Sequence, residues 1–270
     1  MSEFSASDLK LASQRDGAPT DNPAGGGAAP AGTSRLGVLA TFGWALLIFA
    51  LGQVVGTCVV ALWNLAHGLP LLFIAGYDGK VVALLTLVTN AVQIALFVVV
   101  VRWRTAADPI RYLALTRFSG RDFLIGLLAI VGLAAAIAAF SRVAGLDTVS
   151  SFETEVFTTG RSDGWLAAVI LAIVVVGPVG EEIMFRGFMF RGWVVPGWRG
   201  ALAIVVITLL WSAMHIQYDW FGVSQVFLTG LVLGWVRWRS HSCLLTIVLH
   251  VLVNLESTIE TAVKIGWTAP

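Results

Sequence analysis

The chain has 270 residues, of which 57 % are hydrophobic and only 12 % charged, with a net charge of +1. Soluble domains carry about 25 % charged residues, so a mean hydropathy of +0.85 excludes an ordinary soluble globule and indicates an all-α polytopic membrane protein. The net charge of +1 says nothing about partners, no basic stretch suits nucleic acid, and the lipid bilayer is the expected surrounding.

Residues 1–35 are rich in Gly, Ala, Ser, Pro and Asp and nearly free of large apolar side chains. Such a segment cannot build a core, and it lacks the apolar stretch of a signal peptide. It reads as a disordered tail ahead of a polytopic domain over 36–270. A span needs about 20 apolar residues, and by that ruler seven fall near 37–63, 81–101, 123–145, 165–190, 200–216, 220–237 and 242–262, with six or eight as the neighbouring counts. A further apolar patch, Leu71–Ala75, is too short to cross and reads as interfacial. Cys58 and Cys243 lie in different apolar runs with no zinc spacing, and read as two small buried hydrophobes.

Basic residues favour cytoplasmic connections. Arg102, Arg104, Arg111, Arg117 and Arg121 lie between the second and third spans. Arg186, Arg191 and Arg199 surround the fourth-to-fifth connection, and Arg237 and Arg239 the sixth-to-seventh. The third-to-fourth connection is acidic, with Asp147, Glu153, Glu155 and Asp163. Seven spans with the N-terminus inside satisfy this pattern throughout.

The fourth span carries Glu181 and Glu182 side by side, with Arg186 four residues on and so on the face of Glu182. A carboxylate at the centre of a bilayer costs roughly 2.5–3.5 kcal/mol even on the lenient insertion scale, so the pair calls for a specific reason: a buried ion pair that locks helices, or chemistry. His215 ends the fifth span, and His250 lies inside the seventh with Asn254 on its face. At about 1.5 Å of rise per residue, Glu181, His215 and His250 lie at roughly 16, 22 and 15 Å from the arginine-rich ends, the middle of a layer about 30 Å thick. Three helices bringing polar groups to one depth predict a shared, water-reachable cavity. Pro178 should kink the fourth span just before the glutamates and open its wall. A glutamate there can take a proton from water with a histidine's help, and a second histidine and an amide can donate to an oxyanion. Ser212 lies three residues before His215, but a hydroxyl in a span usually bonds its own helix.

Glu181-Glu182-x-x-x-Arg186, Trp211-x-x-x-His215 and His250-x-x-x-Asn254 together resemble the EExxxR, FxxxH and HxxxN motifs of the CPBP family, the CAAX protease and bacteriocin-processing group, also called the Abi or type II CAAX prenyl endopeptidase family. The resemblance covers about residues 165–255 and departs in having Trp211 for the usual Phe, from which a change of packing is expected. It implies an intramembrane glutamate protease, with a membrane protein or peptide as substrate, in which Glu181 activates water with His215, His250 and Asn254 form the oxyanion site, and Glu182 and Arg186 orient the site. The composition, rich in Ala, Gly, Val and Arg with short loops, has a bacterial look. Metal-free hydrolysis is expected, with zinc on Glu182, His215 and His250 as the alternative. A non-catalytic scaffold or immunity protein of the same fold, or a proton-coupled transporter, are the rival readings.

Overall fold

The computed structural model describes residues 35–70 and 77–267. The N-terminal tail and the Leu71–Ala75 patch fall outside these, save for Arg35. The described residues are helical and contain no strand. In chain order the helices are α1 (Val38–Ala66), α2 (Gly79–Thr105), the single turn α3 (Pro109–Tyr112), α4 (Gly120–Ala144), α5 (Ser151–Ser162), α6 (Leu166–Trp193), α7 (Trp198–Ser212), α8 (Trp220–Ser240) and α9 (Cys243–Lys264).

Five of them, α1, α2, α4, α6 and α9, are long and apolar enough to cross a membrane. The other two expected spans are present as helices but fall short of that measure. Helix α7 has 15 residues, about 22 Å. Helix α8 has the length, but Ser224, Gln225 and Thr229 interrupt its apolar run. The outer surface is that of an integral membrane protein: Leu46, Leu62, Val99, Leu128, Val143 and Leu209 are all exposed. A soluble monomer does not carry so continuous an apolar surface.

Alternating helix direction gives the bundle two poles. One collects the N-terminal ends of α1, α4, α7 and α9 and the C-terminal ends of α2, α6 and α8, and with them Arg35, Arg102, Arg104, Arg121, Arg191 and Arg239. The other collects the opposite ends, with Asp78, Asp147, Glu155, Asp163, Asp219 and Glu260. Tryptophans mark both levels. Trp44 packs edge-on against Trp103 near the arginine pole, with Trp198 exposed beside them in the chain's next turn at that end. Trp63 packs edge-on against Trp165 at the acidic pole, where Trp220 is exposed. Two aromatic girdles are the usual signature of the two membrane–water boundaries.

The core between the poles is built on α6, whose residues Ile183–Phe190 are all buried among α1, α2, α7, α8 and α9. A second, smaller core forms where α5 lays Val156 and Phe157 against Ala83 of α2 and Val169 and Ala172 of α6. The acidic third-to-fourth connection is therefore not a plain loop. Ser150 and Glu153 form a reciprocal capping box at the start of α5, the signature that fixes a helix N-terminus.

Candidate active site

The wall of the site is α6, and α6 is not a regular helix. Residues Leu171–Val176 and Ile183–Met189 are wound as π-helix, on either side of an α-helical Gly177–Glu182. The N–H of Gly177 reaches back five residues to the carbonyl of Ala172. Continued by one residue, that register would pair position 178 with the carbonyl of Ile173. Proline has no N–H to give. The Asn254 side chain fills the vacancy, its Nδ2 donating to Ile173 O at 2.8 Å. The expected opening at Pro178 thus takes the form of a wide turn plus a freed carbonyl, and the amide from α9 caps that carbonyl. π-turns of this kind recur at functional sites.

Gly180 lets α2 approach next to the glutamates, since a Cβ there would collide with the Asn90 side chain. The two carboxylates that follow point to different surroundings. Glu182 is fully buried. Its Oε1 accepts from Arg186 Nη1 at 2.9 Å and from His250 Nδ1 at 3.1 Å. Its Oε2 is buried without a hydrogen-bond partner, the nearby Thr246 hydroxyl donating instead to the carbonyl of Cys243. Arg186 is 1 % exposed and also donates to the carbonyl of Gly230 at 3.2 Å. Arg237, equally buried, donates from Nε to the Arg186 carbonyl at 2.9 Å. Charges taken this far from water require such pairing.

Glu181 instead lines a cleft of about 290 Å³ together with His215, Tyr218, His250 and Asn254. Its Oε2 accepts from Trp211 Nε1 at 2.7 Å. Trp211 is the hub of the site. Its ring lies edge-on to His215 at 5.2 Å and to His250 at 5.4 Å, and the Arg186 guanidinium sits over it at 4.3 Å, within cation–π range. Gly230 makes room for the indole, because a Cβ there would lie 2.7 Å from the ring. The change from Phe to Trp is therefore more than packing: it adds the one N–H that holds Glu181, which phenylalanine cannot supply.

Helix α7 stops at Ser212, and His215 sits in the turn just past it. Its Nδ1 lies 3.0 Å from the Trp211 carbonyl. A carbonyl only accepts, so Nδ1 carries the hydrogen and Nε2 keeps its lone pair. Tyr218 stacks on this ring at 5.9 Å. The sequence reading missed Tyr218, which carries no motif spacing; its closeness to the Asp219 turn is the only hint. The same logic gives His250 a hydrogen on Nδ1, facing Glu182. Ser212 donates to its own helix, to Leu209 O, and the Cys243 thiol is buried on the carbonyl of Glu182. Neither is placed as a nucleophile on the cleft.

The opposite wall of the cleft is apolar, made by Leu127, Ile130, Ala134, Ile137 and Ala138 of α4. Its rim at the acidic pole holds Thr148, Glu153, Glu256 and Glu260. The rim is tied together: Ser257 donates to Glu153, Thr148 to Glu260 at 2.6 Å, and Lys264 to Asp147 at 2.6 Å.

Residues 163–255 match the family model of type II CAAX prenyl endopeptidase, Rce1-like. The matched segment runs from just before α6 into α9 and holds all of the motif residues. The match covers about a third of the chain and likens that segment to the family. No curated protein matches the chain, and no solved structure does.

The site does not fit a zinc ion. Among the described residues no three His, Cys, Asp or Glu side chains come together as a metal site. His250 also turns its Nδ1 to Glu182 Oε1, which receives a second donor from Arg186.

Proposed function

We propose that the protein is an intramembrane endopeptidase that hydrolyses a peptide bond of a membrane-associated protein or peptide with water activated by Glu181. The observation that carries this reading is the pairing of a buried, ion-paired carboxylate with a cleft-lining one on consecutive residues, with two histidines lining the same cleft. Glu181 takes the proton of a water in the cleft, and the lone pair at His215 Nε2 orients that water or shares the proton. Trp211 fixes the carboxylate through one oxygen and leaves the other for the water. Attack gives a tetrahedral oxyanion. The second hydrogen of Asn254 Nδ2 serves it, already anchored through its contact with Ile173 O, and the outer nitrogen of His250 donates as well when the ring carries a hydrogen on both nitrogens, with Nδ1–H kept on Glu182. The proton held at Glu181 then passes to the leaving amine. Glu182 and Arg186 hold His250 and the α6 backbone in place.

The arginine pole supports a cytoplasmic N-terminus, in keeping with a bacterial cytoplasmic membrane. The test compares membrane-protein termini in cells lacking the gene and complemented with wild type or Glu181→Gln, a swap that keeps shape and removes the base. Termini that appear only with wild type support proteolysis and name candidate substrates. Identical termini, with both genes restoring a loss-of-gene phenotype, overturn it in favour of a scaffold.

A further inference from the structure

The cleft does not pass through the bundle, and its position relative to the two poles is fixed by the helices that line it. Along α4 the lining residues run from Leu127 to Ala138. Counted from the arginine pole at Gly120, these lie about 10 to 27 Å along the axis. Beyond Ala138 the lining continues outward through Thr148, Ser150 and Glu153. On α9 it runs from His250 to Glu260, toward the C-terminal end at Lys264. On the α7–α8 side it is made by the turn holding His215 and Tyr218 and by α8 from Gly222, at its acidic-pole end, to Thr229. All three boundaries lead to the acidic pole.

The way to the arginine pole is closed. Below Glu181 lie the buried side chains of Glu182, Phe185, Arg186, Phe188 and Met189, with Leu245 and Leu249 of α9. Arg237 and Cys243 seal the same level through hydrogen bonds to α6 carbonyls.

Basic side chains mark the cytoplasmic face, at a cost of translocation that carboxylates do not share. Resting on the peptidase reading above, we infer that the cleft is served from the non-cytoplasmic side, and that its substrates are membrane-anchored peptide segments whose scissile bond lies on or just within that surface. The apolar α4 wall faces the polar wall of α6 and α9, so the segment it receives has one apolar and one hydrogen-bonding side.

The test is thiol labelling on intact cells with a membrane-impermeant maleimide, in a Cys58→Ser background that keeps the buried Cys243. Three single reporters are compared: Thr148→Cys in the cleft rim, Glu155→Cys on α5 and Arg121→Cys at the start of α4. The first two should label on intact cells, and Arg121→Cys only after permeabilisation. The reverse pattern overturns the inference. The same labelling in a Glu181→Gln chain should be unchanged, since it needs no activity. The termini comparison is the independent arm. Wild-type-specific termini on the non-cytoplasmic side support the inference, and termini confined to the cytoplasmic side overturn it. An outward-labelling rim without any Glu181-dependent termini retains the orientation and overturns the peptidase reading alone.

Discussion

Two adjacent glutamates in one helix have opposite surroundings. Glu182 looks into a dry network of Arg186, His250 and the Gly230 carbonyl, whereas Glu181 looks into a cleft and is held by a single indole N–H. At about 3.6 residues per turn, consecutive side chains of the α-helical Gly177–Glu182 stretch diverge by about 100° and so meet different neighbours. The lesson is that carboxylates of equal intrinsic chemistry are set apart by their surroundings: Glu182 is shut away from the cleft with two N–H donors on one oxygen, and Glu181 lines the cleft with one oxygen held by Trp211.

The first way to break this comparison is to disturb the dry side. Arg186→Met should strand Glu182 as an uncompensated buried charge, at a cost of about 3–5 kcal/mol. Thermal unfolding in detergent should show a large fall in melting temperature, and a melting temperature near wild type would mean that the network is not structural. The second sharpens it at the border. Trp211→Phe keeps an aromatic ring but removes the donor to Glu181. A hydrogen bond to a charged group is worth about 1.5–3 kcal/mol, so product formation should drop by about 10- to 100-fold, with a smaller loss of stability than Arg186→Met gives. Asn254→Ala uncovers the Ile173 carbonyl and should cost about 1–3 kcal/mol of stability, besides lowering activity. A loss of activity at unchanged melting temperature would assign that amide to catalysis alone.

The smallest effect lies at the rim. Hydrogen bonding from Lys264 holds the Asp147 carboxyl below its usual value, against a lesser opposing effect of desolvation. A carboxylate depressed in the folded state contributes stability above the ordinary aspartate range near 3.9, and that contribution fades as pH falls through the depressed value. The pair is exposed, so the contribution is a few tenths of a kcal/mol. Asp147→Asn should lower the melting temperature slightly at pH 7, and by less at an acid pH where the depressed carboxylate is protonated. An equal loss at both pH values would contradict the assignment.

The helical fold was legible because its signal is coarse: apolar runs of span length mark the helices of the bundle, and the motif spacing marks which of them carry polar groups. What was not legible depends on contacts between distant residues. Helix α5 hid in an acidic stretch, because Val156 and Phe157 are too few to raise its mean hydropathy and its capping box reads as ordinary polar sequence. Pro178 announced a break, yet the wide turns and the Asn254 cap depend on α9 lying alongside. Trp211 announced an aromatic, and only the position of Glu181, 30 residues away in the chain, turns its N–H into a functional group. Tyr218 had no pattern at all, because a turn leaves no periodicity.

The division between the two glutamates is tested most directly by the product formed per folded molecule of Glu181→Gln, measured on a wild-type-specific terminus alongside the melting temperature in detergent. The account predicts a loss of about 10²- to 10⁴-fold, the contribution of a positioned base, with the melting temperature unchanged. Retained product, or a melting temperature that falls as it does for Arg186→Met, would contradict it and make Glu181 a second structural carboxylate.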